Sequence, residues 1–124
     1  MGYRSDGKIV FYALVPENHA AVKLWVDENF PKENFDYEER ISDGRTLMVF
    51  SFDGWKWYDS YTEIQAITKA MEAFCVLFDS DDVSVQVQGA MEFIRLGEEV
   101  EDVETRYSSH SEYIIGVNRS VEFN

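Results

Sequence analysis

Nucleophiles and metal ligands are scarce in this chain, and the search for chemistry starts with a handful of side chains. Cys75 is the only cysteine, and it follows Phe74 on what reads as the apolar stripe of a helix. A thiol nucleophile needs a nearby base and an electropositive, accessible setting; this placement suits a small buried hydrophobe instead. His19 and His110 are the only histidines, and without a cysteine pair the minimum zinc ligand set is missing. Asp79, Asp81 and Asp82 open like a calcium loop, but Val83 and Ser84 stand where an EF-hand needs a ligand and a glycine. Ser108, Ser109 and Ser111 flank His110 with no nucleophile elbow around them. No GxGxxG or Walker motif is present. The expectation is a protein without catalytic residues, metal or cofactor.

Charge is the feature that resists a bland account. Glu98, Glu99, Glu101, Asp102 and Glu104 place five carboxylates in seven residues, with Asp79, Asp81 and Asp82 earlier in the same half. Crowded like charges repel, which gives folding no reason to gather them. Carboxylates on a rigid frame can imitate phosphates before a basic nucleic-acid-binding groove; an acidic face that only aids solubility is the alternative. Trp55 and Trp57, beside Tyr58, offer an aromatic platform as an apolar anchor, or else core staples. A ligand site for a phosphorylated small molecule would need Arg4, Arg95 and Arg119 to converge.

The elements that must position these residues follow from periodicity. Residues 8–15 form an apolar run suited to a central strand, closed by Pro16. Residues 17–29 read as a helix with Ala21, Leu24, Trp25 and Glu28 on one stripe, widened by Val22 and Val26. Phe35, Tyr37 and Ile41 alternate with charged residues as an edge strand does, and Ser42-Asp43-Gly44 turns into a second strand over 45–52. Asp53-Gly54 signals another turn, and Ser60 with Glu63 has capping-box spacing. The helix that follows carries Ile64, Ile67, Met71, Phe74, Cys75 and Phe78 at sustained three-four spacing. Val83, Val85 and Val87 resume strand alternation, Gly89 reads as a bulge, and Met91 to Leu96 continues. Residues 97–111 read as a long acidic loop and 113–123 as a last strand. The order is βαββαββ. It predicts an α+β, ferredoxin-like split βαβ sheet with one extra strand, both helices on one face and the other face open in part.

Composition bounds the rest. The 124 residues fit one domain, residues 1–124, with 45% apolar and 15% aromatic content to build a core. A single cysteine, no apolar run of the ~20 residues a spanning helix needs and no secretory h-region lead to a cytoplasmic expectation. The net charge of −13 repels phosphate backbones and anionic lipid, which argues against direct nucleic-acid or membrane binding. It favours basic partners. The excess is concentrated in residues 70–104, where ten acids face Arg95 alone.

Tyr3-Arg4-Ser5-Asp6, Lys56-Trp57-Tyr58, the run Phe93 to Glu98 followed by Asp102, and Arg119-Ser120-Val121 together resemble a family of small, uncharacterised proteins of tailed phages and prophages. The resemblance spans the chain in short motifs, with Gly7 where an apolar residue is expected and an inserted-looking segment over 79–89. It brings no catalytic residues and implies a non-structural phage protein acting in a bacterial host cytoplasm. The combined expectation is an accessory protein that inhibits a host nucleic-acid-handling or defence protein by occluding its basic surface. Glu98, Glu99, Glu101, Asp102, Glu104, Asp79, Asp81, Asp82, Trp55 and Trp57 would face that partner. A second copy of the chain is a further partner for an open sheet face, and a nucleotide-sequestering protein built on Arg4, Arg95 and Arg119 is the alternative function.

Overall fold

The computed structural model describes residues 4–79, 87–99, 101–117 and 121–124. Strand β1 (Ser5–Ala13) leads through a single 3-10 turn at Pro16–Asn18 into helix α1 (His19–Asn29). Strands β2 (Asp36–Ser42) and β3 (Arg45–Trp55) precede helix α2 (Thr62–Phe78), and β4 (Gly89–Leu96), β5 (Val103–Tyr107), β6 (Ile115–Val117) and β7 (Val121–Phe123) complete the chain. Five strands form one antiparallel sheet in the order β2-β3-β1-β4-β5. The first four in chain order, β1 to β4, have the ferredoxin-like arrangement, and the fifth strand of the sheet is β5, not the expected strand over 113–123.

Alternation along β1 builds both cores. Ile9, Phe11 and Ala13 point to the helices, while Val10 and Tyr12 point the other way, and all five are buried. Against the helical face lie Val22 and Val26 of α1 and Ile64, Ile67, Met71, Phe74 and Phe78 of α2. Phe74 is at the centre, with ring centroids 4.8 Å from both Phe11 and Phe78. The apolar face of α1 is rotated from the expected stripe. Ala21, Leu24 and Glu28 are exposed, and Val22, Trp25 and Val26 turn inward with Phe30, because the contacts with Phe11 and Phe74 reward the larger aromatic.

Several other expectations are corrected by packing. The second sheet face is not open: β6 and β7 form their own antiparallel hairpin. Ile115 is fully buried against Val10, Tyr12, Leu47, Val49, Ala90 and Ile94, with Ile114, Val121 and Phe123 beside it. The expected single strand over 113–123 is therefore two, and the expected acidic loop contains β5, paired with β4 from Leu96↔Val103 to Glu92↔Tyr107. Asp53-Gly54 does not end β3. The strand continues to Trp55 through a register slip between Ser5↔Trp55 and Gly7↔Phe52, with Gly54 at φ 69°. Gly89 holds regular register opposite Ala13 and is no bulge; a Cβ there would sit 3.0 Å from the Phe74 ring. Gly7 is likewise forced, since a side chain would strike the Ile94 carbonyl and the Phe52 ring. α2 starts at Thr62 behind Tyr61, with no side-chain cap, so the Ser60–Glu63 capping box does not form. The turn Asp43-Gly44, both at positive φ, closes the β2–β3 hairpin as expected. Val83 and Val85 lie outside the described residues.

Candidate functional site

The acidic stretch is built around one guanidinium. Arg95, near the end of β4, donates through Nη1 and Nη2 to the two carboxylate oxygens of Asp102 at 3.1 and 2.9 Å. Its Nε reaches Glu104 at 3.1 Å, and Nη1 also reaches the Ser5 hydroxyl at 2.9 Å. A planar fork matched to a carboxylate is the geometry that makes such pairs strong and directional. Burial works against the charge on Arg95, but Asp102 and Glu104 outweigh it and hold the proton more firmly than usual. The register explains the meeting: Arg95 lies opposite Glu104, and the tight turn after Leu96 brings Asp102 back, with the Gly97 amide donating to the Asp102 carbonyl.

Around this centre the remaining acids divide. Glu98 is exposed and accepts the Arg4 backbone amide at 2.6 Å. Glu99 and Glu101 are exposed on the turn. Glu104 also meets Arg106 at 3.5 Å, and Arg106 approaches Glu72 of α2 at 3.9 Å. Six carboxylates, Glu72 included, thus stand against the two cations Arg95 and Arg106, and the end of the sheet stays negative after its internal pairing. The β2 side of the sheet adds a second acidic cluster, where Asp53 has its carboxyl pushed up by a hydrogen bond with Asp6, by the charge of Asp6 and by that of Asp36.

Comparison with known proteins finds no match. No family model, curated protein or solved structure is similar to the chain. The residues themselves therefore carry the functional argument.

Other expected site residues fall elsewhere. Asp79 is turned inward, its side chain 8% exposed, and its two oxygens accept the Ser109 and His110 amides at 2.7 and 2.9 Å. It ties the end of α2 to the segment after β5, with its carboxylate turned away from the surface where the expectation had it displayed. Trp57 is buried, stacked between Phe52 and Phe93 at 4.8 and 5.4 Å. Trp55 is half-buried against Phe35 and lines a cleft of about 510 Å³ with Arg4, Lys56, Tyr61, Ile64 and Ile67. Only one member of the aromatic pair is available at the surface. Asp81, Asp82 and Arg119 lie outside the described residues. Arg4 spends its Nη1 on the Gly54 carbonyl at 2.7 Å and Arg95 is held by carboxylates, so these two do not converge on a pocket. Cys75 is half-buried, its thiol pushed up to about 11, mainly by burial and then by Asp79. Among the described residues no group of three His, Cys, Asp or Glu is placed to hold a metal, and no helix is long and apolar enough to cross a membrane.

Sequence reasoning missed the most buried acid among the described residues. Glu92 has no solvent exposure and accepts the Tyr12 hydroxyl at 2.7 Å, the Ser111 hydroxyl at 2.9 Å and the Ile115 amide at 3.0 Å. Arg45 lies over the Tyr12 ring and pairs with Glu112. The signal was present in the alternation: Glu92 shares its parity with Ala90 and Ile94, a row that the β6–β7 hairpin covers. This group pins the β6–β7 hairpin to the sheet.

Proposed function

We propose that the protein is a non-enzymatic binding protein that occludes the basic surface of another protein through the acidic end of its sheet. In the setting that the sequence resemblance implies, the partner is a host nucleic-acid-handling or defence protein in a bacterial cytoplasm, and the carboxylates stand in for nucleic-acid phosphates. The observation that carries this reading is the Arg95 clamp. Asp102 and Glu104 are fixed by it, Glu98 is held by the Arg4 amide, and Glu99 and Glu101 project from the turn between them. A partner meeting carboxylates already held in place loses less conformational freedom on binding than one meeting a loose acidic tail.

The test uses E98Q/E99Q/E101Q, which removes three exposed charges and leaves the Arg95 clamp whole. Immobilised wild-type protein should retain nucleic-acid-binding proteins from a bacterial lysate, release them to duplex DNA, and lose them as salt rises. The variant should retain far less. Equal retention by both proteins would remove the acidic surface from the function.

One observation favours a second reading, a small-ligand binder. The cleft beside Trp55 combines an indole wall with Arg4 and Lys56, although Glu33 and Glu63 line it too. Quenching of Trp fluorescence by nucleotides, lost in Trp55→Leu, would support it; no change across mono-, di- and cyclic nucleotides would end it.

A further inference from the structure

We propose that β5 is an open docking edge that takes an extended, basic segment of a partner protein as a sixth strand. The inference rests on the acidic-surface reading for the sign of the charge and adds to it a backbone mechanism.

The sheet ends at β5, and among the described residues no strand pairs beyond it. The Gly97 amide bonds to the Asp102 carbonyl and the Ser108 amide to the Met91 carbonyl. In an antiparallel ladder the bonded positions alternate. Residues 102, 104, 106 and 108 therefore bond to β4; on the outward side the Val103 amide donates to the Glu101 carbonyl at 3.1 Å, and the backbone groups of Thr105 and Tyr107 point away from the sheet. Natural edges are commonly blocked by charge. β2, the opposite edge, has that protection: Asp36, Glu38, Glu39 and Arg40 are exposed along it, and Lys23 of α1 closes over Tyr37 and pairs with Glu39 at 3.6 Å. On β5 the only charged residues are Glu104 and Arg106, and both are engaged on the helical side, with Arg95 and with Glu72. Val103 is 42% exposed.

Grooves lie on both sides of this edge. On the hairpin side a cleft of about 540 Å³ has Leu96, Val103 and Val117 as its apolar lining and Glu98, Glu99 and Asp102 at its rim. On the helical side a cleft of about 550 Å³ runs between β5 and α2, over Met71, Cys75, Val76 and Met91. A strand added to β5 would send alternate side chains to opposite faces, one row into each groove. Carboxylates at the rim select Lys or Arg, with aliphatic side chains between them. A second copy of this chain is a poor occupant, since two molecules of net charge −13 would bring two acidic rims together.

The probe is an end-blocked heptapeptide alternating lysine with valine, titrated into the isotope-labelled protein. Two further peptides carry glutamate for lysine, or N-methyl groups on the backbone amides that would face β5. The lysine peptide should shift the Thr105 and Tyr107 amides and slow their hydrogen exchange. The glutamate peptide should not bind, and the N-methyl peptide should bind about tenfold more weakly or worse, having lost hydrogen bonds but no charge. Shifts confined to β2, or equal binding of the N-methyl and parent peptides, would overturn the docking edge while leaving the acidic surface intact. Parent-peptide binding that E98Q/E99Q/E101Q leaves unchanged would do the reverse: the edge would stand and its charge selectivity would fall. Absence of binding by the lysine peptide overturns the proposal outright.

Discussion

A carboxylate without solvent contact must find its hydration within the protein, and Glu92 finds it in two hydroxyls and one amide. Hydrogen bonds to a charged group contribute about 1.5–3 kcal/mol each, and they are not additive. Glu92→Ala should therefore lower stability by about 3 kcal/mol in urea unfolding, and it should speed amide exchange across β6 and β7 more than across β1. Tyr12 supplies one of those hydroxyls, and burial, followed by the neighbouring Glu92, pushes its ionisation above the ordinary 10.0. The sign follows from proton uptake. The unfolded Tyr12 ionises first, so its contribution is complete below pH 10 and is lost as pH climbs toward the raised folded value. The stability difference between wild type and Tyr12→Phe should thus be constant from pH 7 to 9 and shrink above pH 10. A difference that grows there would mean that the hydroxyl ionises more easily in the folded protein.

At the scale of elements, α2 was legible and its start was not. Ile64, Ile67, Met71, Phe74 and Phe78 recur at helical spacing, and every one is buried. Phe74→Ala should cost about 3–5 kcal/mol, since a fully buried ring leaves a cavity. Ser60→Ala should change stability by less than about 0.5 kcal/mol, because capping-box spacing is only a local opportunity and the helix begins behind Tyr61 without a side-chain cap. Paired melting curves of the two variants separate the contributions. The β2–β3 hairpin was legible for a local reason, as Asp43-Gly44 dictates its own turn. The face of α1 was not, because Ala21-Leu24 and Val22-Trp25-Val26 are both apolar stripes and only the sheet beneath chooses between them. β5 was hidden by its own composition. Val103, Thr105 and Tyr107 alternate with Glu104 and Arg106, but the preceding run of acids reads as loop until Arg95 is seen to anchor it.

For the whole molecule, net charge was plain from the sequence, whereas its division into structural and displayed carboxylates was not. Asp79, Asp102 and Glu104 serve internal bonds, and Glu98, Glu99 and Glu101 lie at the surface, where Glu98 also accepts the Arg4 amide, a bond that a glutamine oxygen can keep. The two groups should respond in opposite ways to neutralisation. E98Q/E99Q/E101Q removes repulsion in a chain of net charge −13, so its melting temperature at low salt should equal or exceed that of wild type. Added salt, which damps the same repulsion most strongly beyond about 10 Å at 0.1 M, should then raise the melting point of wild type more than that of the variant. D102N/E104Q leaves the Arg95 guanidinium, its side chain only 13% exposed, without a charged partner. That variant should lose about 1–2 kcal/mol, and salt should not restore it, because each amide replaces one acceptor oxygen with an NH2 donor and breaks the two-oxygen match of Asp102 to the guanidinium. Melting both variants from 20 mM to 500 mM sodium chloride distinguishes the cases. A triple variant that melts well below wild type at low salt would place Glu98, Glu99 and Glu101 among the structural carboxylates, and the acidic end of the sheet would have no displayed charge with which to meet a partner.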